Sequence, residues 1–119
     1  MHRFRFGVSG MRPNRSEWQE LARKAEGLGY STLLLPDHFG RQLSPLPALL
    51  AAAMATQTLR VGTIVLDNDF RHPVMLAKDA ATIDVMTDGR FELGIKQAFD
   101  AVAVSPFAAE QFAELWQRG

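Results

Sequence analysis

The feature that most constrains this chain is a repeated alternation: short, largely apolar runs are followed by longer segments of helical periodicity, with polar loops between them. Residues 3–8 alternate basic and apolar side chains and read as a first strand entering a loop at Ser9-Gly10. Pro13 and Asn14 continue that loop, and Ser16 is placed to cap a helix reaching about Leu28. Trp18, Leu21, Ala22, Ala25 and Leu28 fall on one helical face, and Gly29 supplies a left-handed terminating residue. Residues 32–35 form a second strand, apolar as befits one covered on both faces, and Pro36 ends it. Proline opens the next helix, from Pro45 or Leu46 to about Ala55. Residues 59–66 are a third strand, Pro73 opens a helix reaching about Met86, Asp88-Gly89 is a turn, and residues 91–95 are a fourth strand. Residues 100–105 alternate weakly and read as a fifth strand, with Pro106 starting a last helix to about Gln117; one broken helix from Gln97 onward is the rival reading.

Strand and helix repeated in this way give an α/β fold with a parallel sheet and right-handed crossovers. Such sheets bind ligands beyond the carboxyl ends of their strands. That rule sorts the polar loops onto one rim. Asp37 and His38 follow the second strand, Asn68, Asp69, Arg71 and His72 follow the third, Lys96 and Gln97 the fourth, and Ser105 the fifth.

The 119 residues suffice for a single domain with one core. Thirteen basic and thirteen acidic side chains leave no net charge, which argues against a nucleic-acid footprint or a polybasic membrane anchor. With no cysteine, disulfides, thiolate metal sites and cysteine nucleophiles are excluded. The amino-terminal residues lack the pattern of a secretory signal, and the apolar stretch 46–54 is too short to span a bilayer, so a soluble cytoplasmic protein is expected. Neither G-x-G-x-x-G, a phosphate-loop lysine motif nor a G-x-S-x-G elbow occurs.

His38, directly after Pro36-Asp37 at a strand end, is placed for general acid or base work near neutral pH, or for bracing its loop through backbone hydrogen bonds. The run from Asp67 to Pro73 is densely polar. Arg71 there can grip a carboxylate or phosphate, and Asp67 and Asp69 are weak metal candidates; a solvated loop rich in turn formers explains the composition equally well. Gly62, inside a buried strand, marks a bulge, a close approach by a ligand, or tight helix packing.

Ala22-Arg23-Lys24-Ala25-Glu26-Gly27-Leu28-Gly29-Tyr30, then Leu33-Leu34-Leu35-Pro36-Asp37-His38-Phe39, resembles the amino-terminal part of luciferase-like monooxygenases, closest to their actinobacterial deazaflavin-dependent branch. The resemblance continues through Leu59-Arg60-Val61-Gly62-Thr63-Ile64-Val65-Leu66, the loop to Pro73, and the segments 77–86 and 88–95. It implies a partial (β/α) TIM-barrel-like fold of about five parallel strands alternating with helices. It also implies FMN or the deazaflavin coenzyme F-420 as cofactor. By the same resemblance His38 is the active-site histidine and Asp37 its neighbour. Thr63, Ile64 and Val65 match the strand behind the ring, often bulged at an unusual peptide bond, and Asn68 a polar residue reaching the ring edge. Arg71 would orient cofactor or substrate. Where the family continues into a glycine-rich loop, this chain reads Lys96-Gln97-Ala98-Phe99-Asp100, and a full barrel needs about twice its length. The expected organisation is therefore family-like βα units over residues 1–95 and a divergent tail over 96–119, as in a truncated or internally deleted member. If the tail strand lies beside the first, the sheet order is 5-1-2-3-4.

The function implied is hydride transfer or monooxygenation of a small organic substrate. The alternatives are a non-catalytic ligand-binding or self-assembling relative, and a cofactor-free acid–base enzyme using His38. Open sheet edges and an uncovered face predict a homodimer or higher assembly.

Overall fold

The computed structural model describes residues 4–96. Strand β1 (Gly7–Ser9) leads to helix α1 (Arg15–Gly27), β2 (Thr32–Leu35), α2 (Pro45–Met54), β3 (Arg60–Thr63) and β4 (Leu66–Asp67). A 3-10 turn (Asn68–Phe70), α3 (Pro73–Met86), β5 (Phe91–Glu92) and β6 (Ile95–Lys96) complete the order. Four parallel strands stand in the order β1-β2-β3-β5, and β4 and β6 form a second, two-stranded parallel sheet. The tail strand and helix, and the pairing that would give the order 5-1-2-3-4, fall outside the described residues. Among the described residues no helix is long and apolar enough to cross a membrane.

The punctuation read from the sequence holds at most helix ends. Gly29 adopts φ +87°, and Asp88 and Gly89 turn the chain at φ 54° and 78°. Proline opens α2 and α3, and α3 spans the residues its pattern predicts. Three details differ. Asn14, not Ser16, caps α1, its Oδ1 accepting the Glu17 N–H at 2.9 Å. Leu28 is exposed, because the helix ends at Gly27 and leaves it on the cap. The first strand is shorter than residues 3–8 and displaced toward its carboxyl end. Phe4 and Phe6 are exposed, although the Phe6 carbonyl still accepts the Ser31 N–H at 2.9 Å.

Alternation across β2 and β3 divides the sheet into two faces. Leu33, Leu35 and Val61 turn inward and are buried with Trp18, Ala22, Leu49 and Ala52 of α1 and α2. The Trp18 indole N–H donates to the Ala48 carbonyl at 2.6 Å, so the largest core side chain also pins the two helices together. Leu46, Leu66, Leu76 and Ile83 form a second cluster under α3, and Phe91 packs against both clusters. On the opposite face Leu34 lies over Gly7 and Gly62. Gly62 answers to close approach by a neighbouring strand: a Cβ there would stand 2.7 Å from the Glu92 carbonyl oxygen.

Charged side chains hold the end of the sheet remote from the rim. Glu92 accepts from Arg60 at 2.6 Å and from Arg5 at 2.9 Å. Burial alone would raise its carboxyl, but the Arg60 hydrogen bond and the two positive charges overcome it and leave the pKa lowered. The Arg90 guanidinium donates to the carbonyls of Ala53, Leu59 and Thr87, tying the end of α2 to the start of β3.

Glu26 makes the same join from α1. Its Oε2 accepts the backbone N–H groups of Gln57, Thr58 and Leu59 at 2.9, 2.8 and 2.9 Å. The Thr58 N–H above all holds this carboxyl below its ordinary 4.5; partial burial opposes the shift, and the other donors reinforce it. A lowered folded-state pKa means that the stabilisation is fully present above pH 4.5 and is lost as pH falls through the lowered value. Glu26→Ala is accordingly expected to lose about 1–2 kcal/mol at pH 7, the sum being discounted for solvent access, and to flatten the acid limb of the stability curve. Urea titrations between pH 3 and 7 measure both. An unchanged acid limb would refute the assignment.

Candidate functional site

The rim is built where β2 ends beside the break between β3 and β4. After Leu35 the chain passes through Pro36 to Asp37, whose carboxylate points inward, its side chain only 7% exposed. Asp37 Oδ2 accepts the Asp67 N–H at 3.0 Å and the Nη1–H of Arg71, while Arg71 Nη2 donates to Oδ1 at 3.2 Å. This is a two-pronged guanidinium–carboxylate pair, the strongest form of such contacts. Next to it the Phe39 and Phe70 rings meet with centroids 4.7 Å apart. The segment after β2 and the loop after β4 are thereby fastened to each other. Asp37 and Arg71 are spent on one another, which makes them positioning groups for what they carry.

The sequence reads residues 59–66 as one strand, but the structure breaks it. A cis peptide joins Ile64 to Val65, and the ladder resumes one step over as β4. The fourth strand breaks in concert, β5 pairing with β3 and β6 with β4. Gly94 and Thr63 make the shared corner. Thr63 Oγ1 donates to the Gly94 carbonyl at 2.7 Å and accepts the Gly94 N–H at 2.8 Å, and the Gly94 carbonyl also accepts the Leu66 N–H at 2.8 Å. Thr63 is thus buried and braces the site from behind. Ile64, at the break, is 49% exposed, and its N–H donates to the Leu35 carbonyl at 3.1 Å. It forms an apolar ledge beside the tip of β2, with half-buried Val65 next to it. Asn68 opens the 3-10 turn just beyond.

His38 is exposed and has no hydrogen-bond partner among the described residues, so it does not brace its loop. It lines a cleft of about 330 Å³ with Met11, Arg12, Phe39, Arg41 and Gln42. His72, in contrast, is structural: its Nδ1 accepts the Val74 N–H at 3.2 Å and caps α3. Behind the rim, Asp67 Oδ1 accepts the Asp69 N–H at 3.0 Å, and both Asp69 carboxylate oxygens are shielded from solvent without a donor among the described residues. Burial first, then the Asp67 charge, and then the hydrogen bond a protonated Asp69 can give Asp67 all raise the Asp69 pKa. No three Asp, Glu or His side chains among the described residues converge on a metal position.

Glu26 and Arg90, which hold the end of the sheet opposite the rim, were not singled out by sequence reasoning. Apart from the Thr87 carbonyl, three positions from Arg90, their partners lie 31 to 37 positions away, beyond any local pattern.

A parallel βα assembly with its polar groups gathered at the strand tips is a partial (β/α) barrel, and comparison with known proteins bears this out. The sequence model of the luciferase-like monooxygenase family matches residues 1–118, and the chain belongs to that family. It is 36% identical to 4-hydroxyprotoasukamycin monooxygenase of Streptomyces nodosus subsp. asukaensis over 72% of this chain and 25% of that protein. It is 32% identical to the F420-dependent glucose-6-phosphate dehydrogenase of Microbacterium testaceum over 95% of this chain and 38% of that one. The oxygenating constituent of 3,6-diketocamphane monooxygenase from Pseudomonas putida, solved in complex with FMN, superposes with a TM-score of 0.75 at 18% identity. That likeness covers 96% of this chain and 38% of the other, and shows the shared fold. The chain spans roughly a quarter to two fifths of the length of these relatives.

Proposed function

We propose that this chain carries the ring-facing part of a flavin- or deazaflavin-dependent oxidoreductase acting on a small organic molecule by hydride transfer or monooxygenation. The observation that carries the reading is the Asp37–Arg71 clamp, which brings the His38 segment and the Ile64–Arg71 segment to one rim. The residues fit a planar redox ring: the half-exposed Ile64, with Val65, offers a flat apolar ledge beside the tip of β2. Ile64 and Val65 would carry the ring face, Thr63 holds that ledge in place, and Asn68 would reach the ring edge. The bound ring supplies the redox chemistry. His38, unencumbered at the rim, holds or moves a proton at its imidazole, and Asp37 and Arg71 fix the loop it stands on.

Titration with FMN and with coenzyme F-420, followed by fluorescence quenching, tests this reading. Saturable binding of one of them is expected, weakened at least tenfold in His38→Ala and Asn68→Ala variants that keep the parent's circular dichroism. No binding of either to the folded chain would leave the non-catalytic or the cofactor-free alternative.

Self-association belongs to the same proposal. Val74, Met75, Val85 and Met86 of α3 are all about half exposed or more, an unusual apolar load for one surface helix. A second copy of the chain would cover them. Light scattering at micromolar concentration is expected to give a dimer or larger species, reduced in mass by Val85→Glu. A monomeric parent would refute this.

A further inference from the structure

The cleft beside His38 has a charge pattern that the redox reading does not use. Arg12 comes from the loop after β1, and Arg41 from the loop after β2, and both line it together with His38. Other arginines of the sheet and rim are satisfied: Arg5 and Arg60 pair with Glu92, Arg71 with Asp37, and Arg90 donates to three backbone carbonyls. Arg12 and Arg41 have no carboxylate at ion-pairing distance among the described residues. Glu17 and Glu20 share an adjoining groove with Arg12, yet neither pairs with it, and Lys24 lies in that groove too. Among the described residues Arg12 makes one side-chain hydrogen bond, to the neighbouring Met11 carbonyl at 2.7 Å, which orients a guanidinium without neutralising it. Among the described residues no acidic side chain lines the cleft.

The remaining walls are apolar. Met11 is 51% and Phe39 80% exposed, surfaces that a flat or greasy body would cover. Gln42 braces the loop at the cleft rather than facing a ligand. Its Nε2 donates to the carbonyls of Pro36 and Leu43, so its Oε1 must be the atom left over, and that oxygen is shielded from solvent with no donor among the described residues.

We propose that this cleft is a subsite for an anionic organic molecule, an aromatic or otherwise apolar body bearing a carboxylate or phosphate that Arg12 and Arg41 hold beside His38. Two guanidiniums from separate loops suit a planar or tetrahedral oxyanion, while the apolar body rests on Met11 and Phe39. The assignment of this molecule as the substrate rests on the redox reading above; the anion preference of the cleft does not.

Isothermal titration of the 119-residue chain with benzoate, phenyl phosphate and the neutral benzamide tests it. Benzoate and phenyl phosphate are expected to bind at least tenfold more tightly than benzamide, with affinity falling as sodium chloride rises. The exposed Arg12→Ala/Arg41→Ala double variant should lose that preference, and Arg12→Lys/Arg41→Lys should retain part of it. Equal affinity for benzoate and benzamide, or a double variant that binds like the parent, overturns the proposal. Parallel titrations with FMN and riboflavin identify the source of the anion. Flavin affinities unaffected by the double variant support a substrate subsite, whereas a tenfold loss confined to FMN assigns the arginines to the cofactor phosphate and overturns it. Benzoate binding without any flavin or deazaflavin binding retires the redox reading and leaves the anion cleft standing.

Discussion

Arg71→Ala is expected to cost about 3–5 kcal/mol of folding stability, the range for removing one partner of a buried ion pair. Its partner Asp37 is nearly enclosed, and without the guanidinium that carboxylate keeps, among the described residues, only the Asp67 N–H. An ionised carboxylate so placed must be rehydrated by opening the rim or be left uncompensated, and both routes are costly. Arg71→Lys should fall between, because an ammonium keeps the charge but not the two parallel hydrogen bonds. The cycle of Asp37→Ala, Arg71→Ala and the double variant should show coupling above about 1.5 kcal/mol in urea unfolding, since the two residues are each other's main partner. Cofactor affinity is expected to fall in Arg71→Ala even where the protein remains folded. An Arg71→Ala protein within 0.5 kcal/mol of the parent would mean that the clamp does not hold the rim, and the site would lose its central support.

How much of this was legible beforehand depends on the range of the interactions. Helix limits set by local chemistry were readable: Pro73 at the start of α3, Gly29 after α1 and the Asp88–Gly89 turn behave as their residue types require. The parallel order β1-β2-β3-β5 followed from the alternation of elements. Placing Asp37, His38 and Arg71 at strand tips was also possible, because the fold class alone sends those loops to one rim. That Asp37 and Arg71 bind each other was not, since 34 positions separate them and both look like solvent-facing loop residues. The break in the third strand was legible only through the family resemblance, which marks Thr63, Ile64 and Val65 as a segment often bulged at an unusual peptide bond; the hydrophobic pattern alone hides it. Residues 59–66 are nearly uniformly apolar, so nothing in their pattern marks Ile64 as the point where the ladder shifts and leaves a side chain half exposed. Gly62 was legible as a point of close approach but not as to what approaches, which proved to be the backbone of β5. Asn14 and Ser16 are equally good caps by type, so only the geometry of the loop chose between them.

The shifted ladder leads to the second large effect. Gly94→Ala is expected to cost about 3 kcal/mol, at the upper end for overpacking, because the new methyl group would overlap the carbonyl oxygen of Thr63 and crowd Val65 Cγ1 at 3.3 Å. The obstacle is backbone, so no rotamer change relieves it, and the strands on either side must part. Parting them breaks the reciprocal pair between Thr63 Oγ1 and Gly94 and strains the Leu66 N–H bond to the same carbonyl. Thr63→Val removes the hydroxyl without adding bulk at Gly94, and should cost less while still loosening the corner. The two variants therefore separate crowding from lost hydrogen bonding: thermal unfolding ranks them, and flavin or F-420 titration shows whether the Ile64 ledge moves with the corner. Gly94→Ala with parental stability would show that β3 and β5 can spread freely there, and the ledge would then lack the rigid backing that makes it a surface for a planar ring.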